Sequence, residues 1–156
     1  MKKLFATKEV LRITQETRQR IQYWIFNGIV SPADPGAGTG TTRKYSYKNL
    51  VEMMLAKELS KAGVDIKIVA QVVNHLKKGK SDYFGKSSYE VAEGKQSILT
   101  FSVEGTTKQS ITFLQPELGN LEGVLPGLLK SGHSWSLLNL DVLKLDLNNR
   151  IEKEMG

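Results

Sequence analysis

The segment Ser31–Thr42, SPADPGAGTGTT, constrains this chain more than any other stretch. Its two prolines and three glycines exclude a helix, because proline removes a backbone donor and glycine loses the most entropy on ordering. The flanking residues, Ile29-Val30 on one side and Arg43-Lys44-Tyr45 on the other, are expected to pair as two short strands around a flexible tip. Before and after this hairpin the apolar residues recur at helical spacing.

Thr7 is placed to cap a first helix over about 8–13, with Val10, Leu11 and Ile13 available for a core. Gln15-Glu16 form a turn. Thr17 is a second N-cap, its hydroxyl able to accept from a free amide of the first turn. The helix it opens carries Ile21, Trp24, Ile25 and Gly28 on one face. The opposite face shows Gln19, Gln22, Tyr23 and Phe26, with Arg18 and Arg20 at its margins. Gly28 suits a helix C-terminus. Ser46 caps a third helix to Ala62, with Leu50, Val51, Met54, Leu55 and Leu59 inward, and Gly63 ends it. Asp65 caps a fourth, striped by Val69, Val72, Val73 and Leu76. Helix, turn, helix, basic hairpin, helix, helix is the order of a winged helix-turn-helix.

From Lys77 to Gly85 the sequence KKGKSDYFG reads as a linker, and the remainder changes character. Ser97–Val103 alternates, with Leu99, Phe101 and Val103 on one side, and Ser110–Leu114 is a second strand, so a hairpin is expected. The Gly- and Pro-interrupted stretch 118–131 has room for one short helix, and 134–140 for a further strand. Asp141–Met155 reads as a terminal helix with Leu143, Leu147, Ile151 and Met155 at four-residue spacing. The fold class is therefore α+β. A winged helix-turn-helix of four helices and a β-hairpin wing spans 1–78, and a small strand-containing C-terminal domain with a terminal helix spans 86–156.

Charge divides the same way. Residues 1–80 hold 15 Lys/Arg against 6 Asp/Glu, and residues 81–156 hold 7 against 10. A basic half followed by a mildly acidic half suits a polyanion-binding module joined to something else. The chain has no cysteine, which excludes disulfides, thiolate metal sites and thiol redox sensing. His75 and His133 lack ligand-like spacing, so neither metal nor cofactor is expected. PGAGTG lacks the Gly-Lys-Ser/Thr ending of a phosphate loop. No run approaches the ~20 apolar residues of a membrane span. The start MKKLFATKE has no apolar stretch of signal-peptide length. A cytoplasmic protein without enzymatic activity is expected.

A helix that enters the major groove needs an apolar back and long polar side chains near its N-terminus. Arg18, Gln19 and Gln22 meet that need: Arg pairs with guanine and Gln with adenine through two parallel bonds, each worth roughly 1–3 kcal/mol of discrimination. Arg20 and Tyr23 suit phosphates, which fix register rather than read sequence. Arg43, Lys44 and Tyr45, on the returning strand, are placed for flanking phosphates or the minor groove. Trp24 is expected in the core. Tyr23 divides between core and contact. An outward Phe26 invites DNA, a partner, or an apolar neighbour in its own domain. Trp135 and Leu137 are expected to pack the second domain.

The region of about 4–76 resembles the DNA-binding domain of the MerR family of bacterial transcription regulators. The carrying residues are Thr17, the pair Tyr23-Trp24, Gly28-Ile29-Val30, Pro32 and the Gly-rich wing. Arg43-Lys44-Tyr45-Ser46 leading to Leu50, and Ala62-Gly63-Val64 followed by Ile68, complete the set. The resemblance implies a homodimer on a pseudo-palindromic promoter in double-stranded DNA, and control by bending and untwisting that DNA. It implies backbone contacts from Tyr23 and Arg43, and base contacts near Arg18, Gln19 and Gln22. The usual long dimer helix is broken at 77–85, and the terminal helix is the candidate that replaces it. The family's metal and redox sensing has no cysteine ligands here.

A sequence-specific regulator, with helix 17–28 in the major groove and wing 31–45 on the backbone, is the leading reading. An architectural or excisionase-like recombination accessory uses the same shape, but that group usually stops soon after the wing. A protein-interaction module that has lost DNA binding is the third reading, its acidic half docking on RNA polymerase or a second subunit.

Overall fold

The computed structural model describes residues 4–38, 42–78, 98–104, 108–114 and 135–156. Its contacts divide the chain into two units, Met1–Ser87 with Leu145–Gly156, and Ser88–Lys144.

In the first unit, strand β1 (Phe5–Ala6) leads into α1 (Thr7–Thr14), then α2 (Arg18–Phe26), β2 (Lys44–Tyr45), α3 (Tyr47–Lys61) and α4 (Ile66–Lys78). Helix α3 is the hub. It packs against α4 and also touches α1, α2 and β2. Ten of its residues are buried, Leu50, Met53, Met54, Leu55 and Leu59 fully or nearly so. Trp24, Ile21, Val10 and Ile13 of the first two helices complete the core with Phe5 and Tyr45.

The turn between α1 and α2 is made by Gln15, the one non-glycine with positive φ among the described residues (54°), whose N–H donates to the carbonyl of Leu11. Lys57 of α3 closes this end of α1, its Nζ 2.7 Å from the carbonyl oxygen of Thr14 and 3.5 Å from Glu16. A cation at a helix C-terminus meets the negative end of the dipole.

Helices α2 and α3 end alike. Gly28 takes φ +71°, its N–H donates to Ile25, and the N–H of Ile29 donates to Trp24 at 3.0 Å. Gly63 takes φ +81°, with Gly63 donating to Ser60 and Val64 to Leu59. Both are Schellman motifs, which use a left-handed residue to satisfy the last carbonyls. The residues after the glycines, Ile29 and Val64, are buried and hold the chain against the core.

Several expectations are corrected. The cap of α1 is Ala6, whose N–H donates to the Glu9 carboxylate at 2.6 Å, while Thr7 is already helical. The hydroxyl of Thr7 donates instead to the carbonyl of Arg43 at 3.3 Å. Ile29-Val30 form no strand: β2 pairs antiparallel with β1, Phe5 opposite Tyr45 and Ala6 opposite Lys44. Lys44 also exchanges two backbone bonds with Asp34, at 2.9 and 3.0 Å, and these close the loop. Burial decides the matter, because Ile29 and Val30 serve the core directly after the α2 cap. Lys77 and Lys78 belong to α4, not to a linker. The remaining linker residues, the short helix at 118–131 and His133 lie outside the described residues.

The second unit has strands β3 (Ile98–Glu104), β4 (Lys108–Leu114) and β5 (Trp135–Asn139) in the order β4-β3-β5, all antiparallel. The β3–β4 pairing runs from Ile98 opposite Leu114 to Glu104 opposite Lys108, the hairpin that the alternation calls for. The terminal helix α5 (Leu140–Met155) starts in this unit and ends in the first. Asn139 caps it, accepting from Asp141 and Val142 at 3.0 and 3.2 Å. Leu147 and Ile151 are buried, but Met155 is 50 % exposed and is no core residue. Arg12 of α1 meets Glu154 at 2.8 Å, and Arg150 reaches the carbonyl of Ile13 at 3.5 Å. Residues 145–156 thus group with the helical unit.

Candidate nucleic-acid interface

Thr17 opens α2 as its cap, accepting from the N–H of Arg20 at 3.2 Å. That bond uses the hydroxyl for the helix, so Thr17 sets where the helix begins. Ile21 and Trp24 pin one side of α2 in the core. Helical geometry then turns Gln19, Gln22, Tyr23 and Phe26 to the other side, and all four are exposed, as are Arg18 and Arg20. Among the described residues, the side chains of Arg18, Gln19, Gln22 and Tyr23 make no hydrogen bond within the chain. The Arg20 guanidinium sits 5.8 Å from the Trp24 ring centroid, a cation–π distance. Tyr23 is 49 % exposed, so the structure takes it out of the core.

Beside the N-terminal half of α2 lies a cleft of about 650 Å³. Lys8, Arg18, Gln22 and Arg43 line it, with Thr7 and Tyr45 among the walls. Three elements meet here: the start of α1, the start of α2 and the return of the loop. Among the described residues no carboxylate lines the cleft, so the three cations there are unopposed by any of them and suit a polyanion. Lys44 is exposed on β2, whereas Tyr45 is 2 % exposed and belongs to the core that backs the cleft. Gln19, Arg20 and Tyr23 lie outside the cleft lining, along the outer face of α2.

The root of the loop is held by a buried polar network. Asn49, on the first turn of α3, accepts from the N–H of Ala33 at 3.1 Å and of Ser46 at 3.0 Å. Its amide donates to the carbonyl of Ser31 at 2.8 Å and to Glu52 at 3.1 Å. Glu52 is 2 % exposed and lies 3.3 Å from Lys77 of α4. Lys77 in turn donates to the carbonyl of Ile29 at 2.8 Å. Burial pushes the Glu52 carboxyl above its ordinary 4.5, against the lowering pull of Lys77 and of the Asn49 hydrogen bond. Further out, Gly36 donates to the Asp34 carboxylate at 3.0 Å and tightens the turn.

Sequence reasoning missed Lys8, Asn49, Glu52 and Lys77. Ser46 and Asn49 have capping-box spacing and form the box: the N–H of Asn49 donates to Ser46 Oγ at 3.2 Å, and Asn49 Oδ1 accepts in return from the N–H of Ser46 at 3.0 Å. Glu52 is a lone carboxylate inside the apolar run Leu50–Ala56, a visible sign of a buried charge.

The model of the MerR HTH family of regulatory proteins matches residues 5–76. Residues 5–76 are a MerR-type helix-turn-helix region. The MerR-type region coincides with β1 through α4, so the cleft and the outer face of α2 both lie within it. Relatives include an uncharacterised HTH-type transcriptional regulator of Mycobacterium bovis and two of Mycobacterium tuberculosis. Each is 24 % identical over 111 residues, covering 60 % of this chain. The chain spans about half the length of these relatives. Among the described residues no helix is long and apolar enough to cross a membrane.

Proposed function

We propose that the chain is a sequence-specific, double-stranded DNA-binding transcription regulator. The observation that carries this reading is the convergence of Lys8, Arg18 and Arg43 on one cleft beside an α2 face of unengaged polar side chains. Arg18, Gln19 and Gln22 read base edges in the major groove. Arg20 and Tyr23 hold phosphates along the same helix. Arg43 and Lys44 clamp the flanking backbone from the loop, which acts as the wing. The relatives' names, HTH-type transcriptional regulators, support the same class.

The MerR resemblance brings with it a homodimer. In α5 the Leu147 and Ile151 side is buried and Arg150 and Glu154 engage α1, which leaves Val142 and Leu145, 58 % and 56 % exposed, for a second copy.

The test is selection of a bound sequence from a random duplex pool with the purified chain. An inverted repeat is expected. Arg43→Ala should then weaken all sequences alike and lower the salt slope by about one, while Gln22→Ala should relax preference at one position. Affinity that responds to neither change sinks this reading of α2 and the wing. An excisionase-like accessory role is favoured instead if the selected site is a single half-site and the chain is monomeric.

A further inference from the structure

Phe26 is 88 % exposed, the most open large apolar side chain among the described residues. It is the last residue of α2, held in helical geometry by the cap that follows: Asn27 donates through its side chain to the carbonyl of Tyr23 at 2.8 Å. An exposed phenyl ring gains nothing for the fold, so folding does not explain it.

Its position on the helix is specific. At about 100° per residue, Phe26 falls between Gln19 and Gln22 on the wheel, in the middle of the stripe that faces away from Ile21 and Trp24. It lies one turn beyond Gln22, about 6 Å along the axis, or roughly two base-pair steps. The whole helix, Arg18–Phe26, is about 14 Å long, comparable with the ~12 Å width of a major groove. It contains two arginines and no acidic residue, so nothing on it repels a duplex. The one apolar feature that a base pair offers in the major groove is the 5-methyl group of thymine.

We infer that Phe26 is a specificity-determining residue that packs on a thymine methyl, one or two base pairs beyond the pair read by Gln22. This inference rests on the DNA reading of α2. A phenyl ring over that methyl excludes water from both, and it leaves the amino and carbonyl groups of a competing base without a polar partner. Phe26 therefore selects an A·T step by apolar contact where its neighbours select by hydrogen bonds.

The test uses the full chain and its selected duplex, with each thymine replaced in turn by deoxyuridine, which removes only the methyl. The wild type should lose about fourfold in affinity at one position, the worth of one buried carbon. Phe26→Ala should be indifferent to the methyl at that position and unchanged at the others, and Phe26→Leu should restore part of the discrimination. Phe26 is solvent-exposed, so both variants should melt with the wild type. Identical thymine-to-uracil profiles for wild type and Phe26→Ala, with both binding tightly, overturn the inference and leave the DNA reading standing. A shift of sedimentation mass in Phe26→Ala without a change in the profile also overturns it, and assigns the ring to a second copy. If the wild type binds no duplex, the DNA reading fails and this inference with it.

Discussion

The outer face of α2 and the root of the loop lie in one helical unit and treat their polar groups in opposite ways. On α2, Arg18, Gln19, Gln22 and Tyr23 face solvent with no internal hydrogen bond among the described residues. At the root, Asn49 is 4 % exposed, Glu52 is 2 % exposed, and each is tied to several partners. The first region is poised for something outside the chain. The second sets where the loop and its Arg43 stand. Removing a side chain should therefore cost stability at the root and recognition on the helix.

The largest effect is expected for Asn49→Ala. It strips a partner from the buried Glu52 carboxylate and from the part-buried bonds to the N–H of Ala33 and the carbonyl of Ser31, and a polar group left unsatisfied where water cannot reach it costs ~1–3 kcal/mol. Urea unfolding should show a loss on the order of 3 kcal/mol. A loss below 1 kcal/mol would mean that water replaces the side chain and that the root is not a closed network.

Gly28→Ala should cost about 1–2 kcal/mol, the penalty of a left-handed backbone for a residue with a Cβ. No atom lies within 4 Å of that Cβ, so the cost is conformational and not a clash. A neutral result would show that the α2 cap tolerates another geometry.

Glu52→Gln sharpens the comparison through pH. The folded carboxyl titrates above its ordinary 4.5, so between the two values the folded state binds more protons than the unfolded state. Its contribution to stability is full below 4.5 and is lost as pH rises through the folded value. The variant should lack that decline, seen as a flatter melting temperature against pH from weak acid towards neutrality. An equal decline in both proteins would place its source elsewhere.

Arg18→Ala and Gln19→Ala should change stability by less than about 0.5 kcal/mol, as surface substitutions do. Either one destabilising the fold by more than 1 kcal/mol would show that the α2 face is structural, and would break the contrast at its other end.

Local chemistry made much of this legible beforehand. Thr17, Ser46 and Asp65 cap α2, α3 and α4, because a short side-chain oxygen can reach the free amides of its own first turn. Gly28 and Gly63 end helices where only glycine takes positive φ cheaply. The apolar stripes of α2 and α4 named Trp24, Val69 and Val73, and all are buried. The exposed α2 residues followed from the same stripe, since whatever is not inward at that spacing points out.

Long-range partners were not legible, because spacing says which way a side chain points and not what it meets. Phe5-Ala6, not Ile29-Val30, pairs with Tyr45 and Lys44 across some 40 intervening residues. Thr7 gave its hydroxyl to Arg43 and left the cap to Ala6. Lys8 joined Arg18 and Arg43 only when three separate elements met. By itself the sequence determined the helices, the ends of α2 and α3 and the outward face of α2, all products of forces that act within one turn. The loop root, the cationic cleft and the return of α5 onto α1 were decided by tertiary structure. There a buried carboxylate, amide or carbonyl must find a partner wherever the packing brings one.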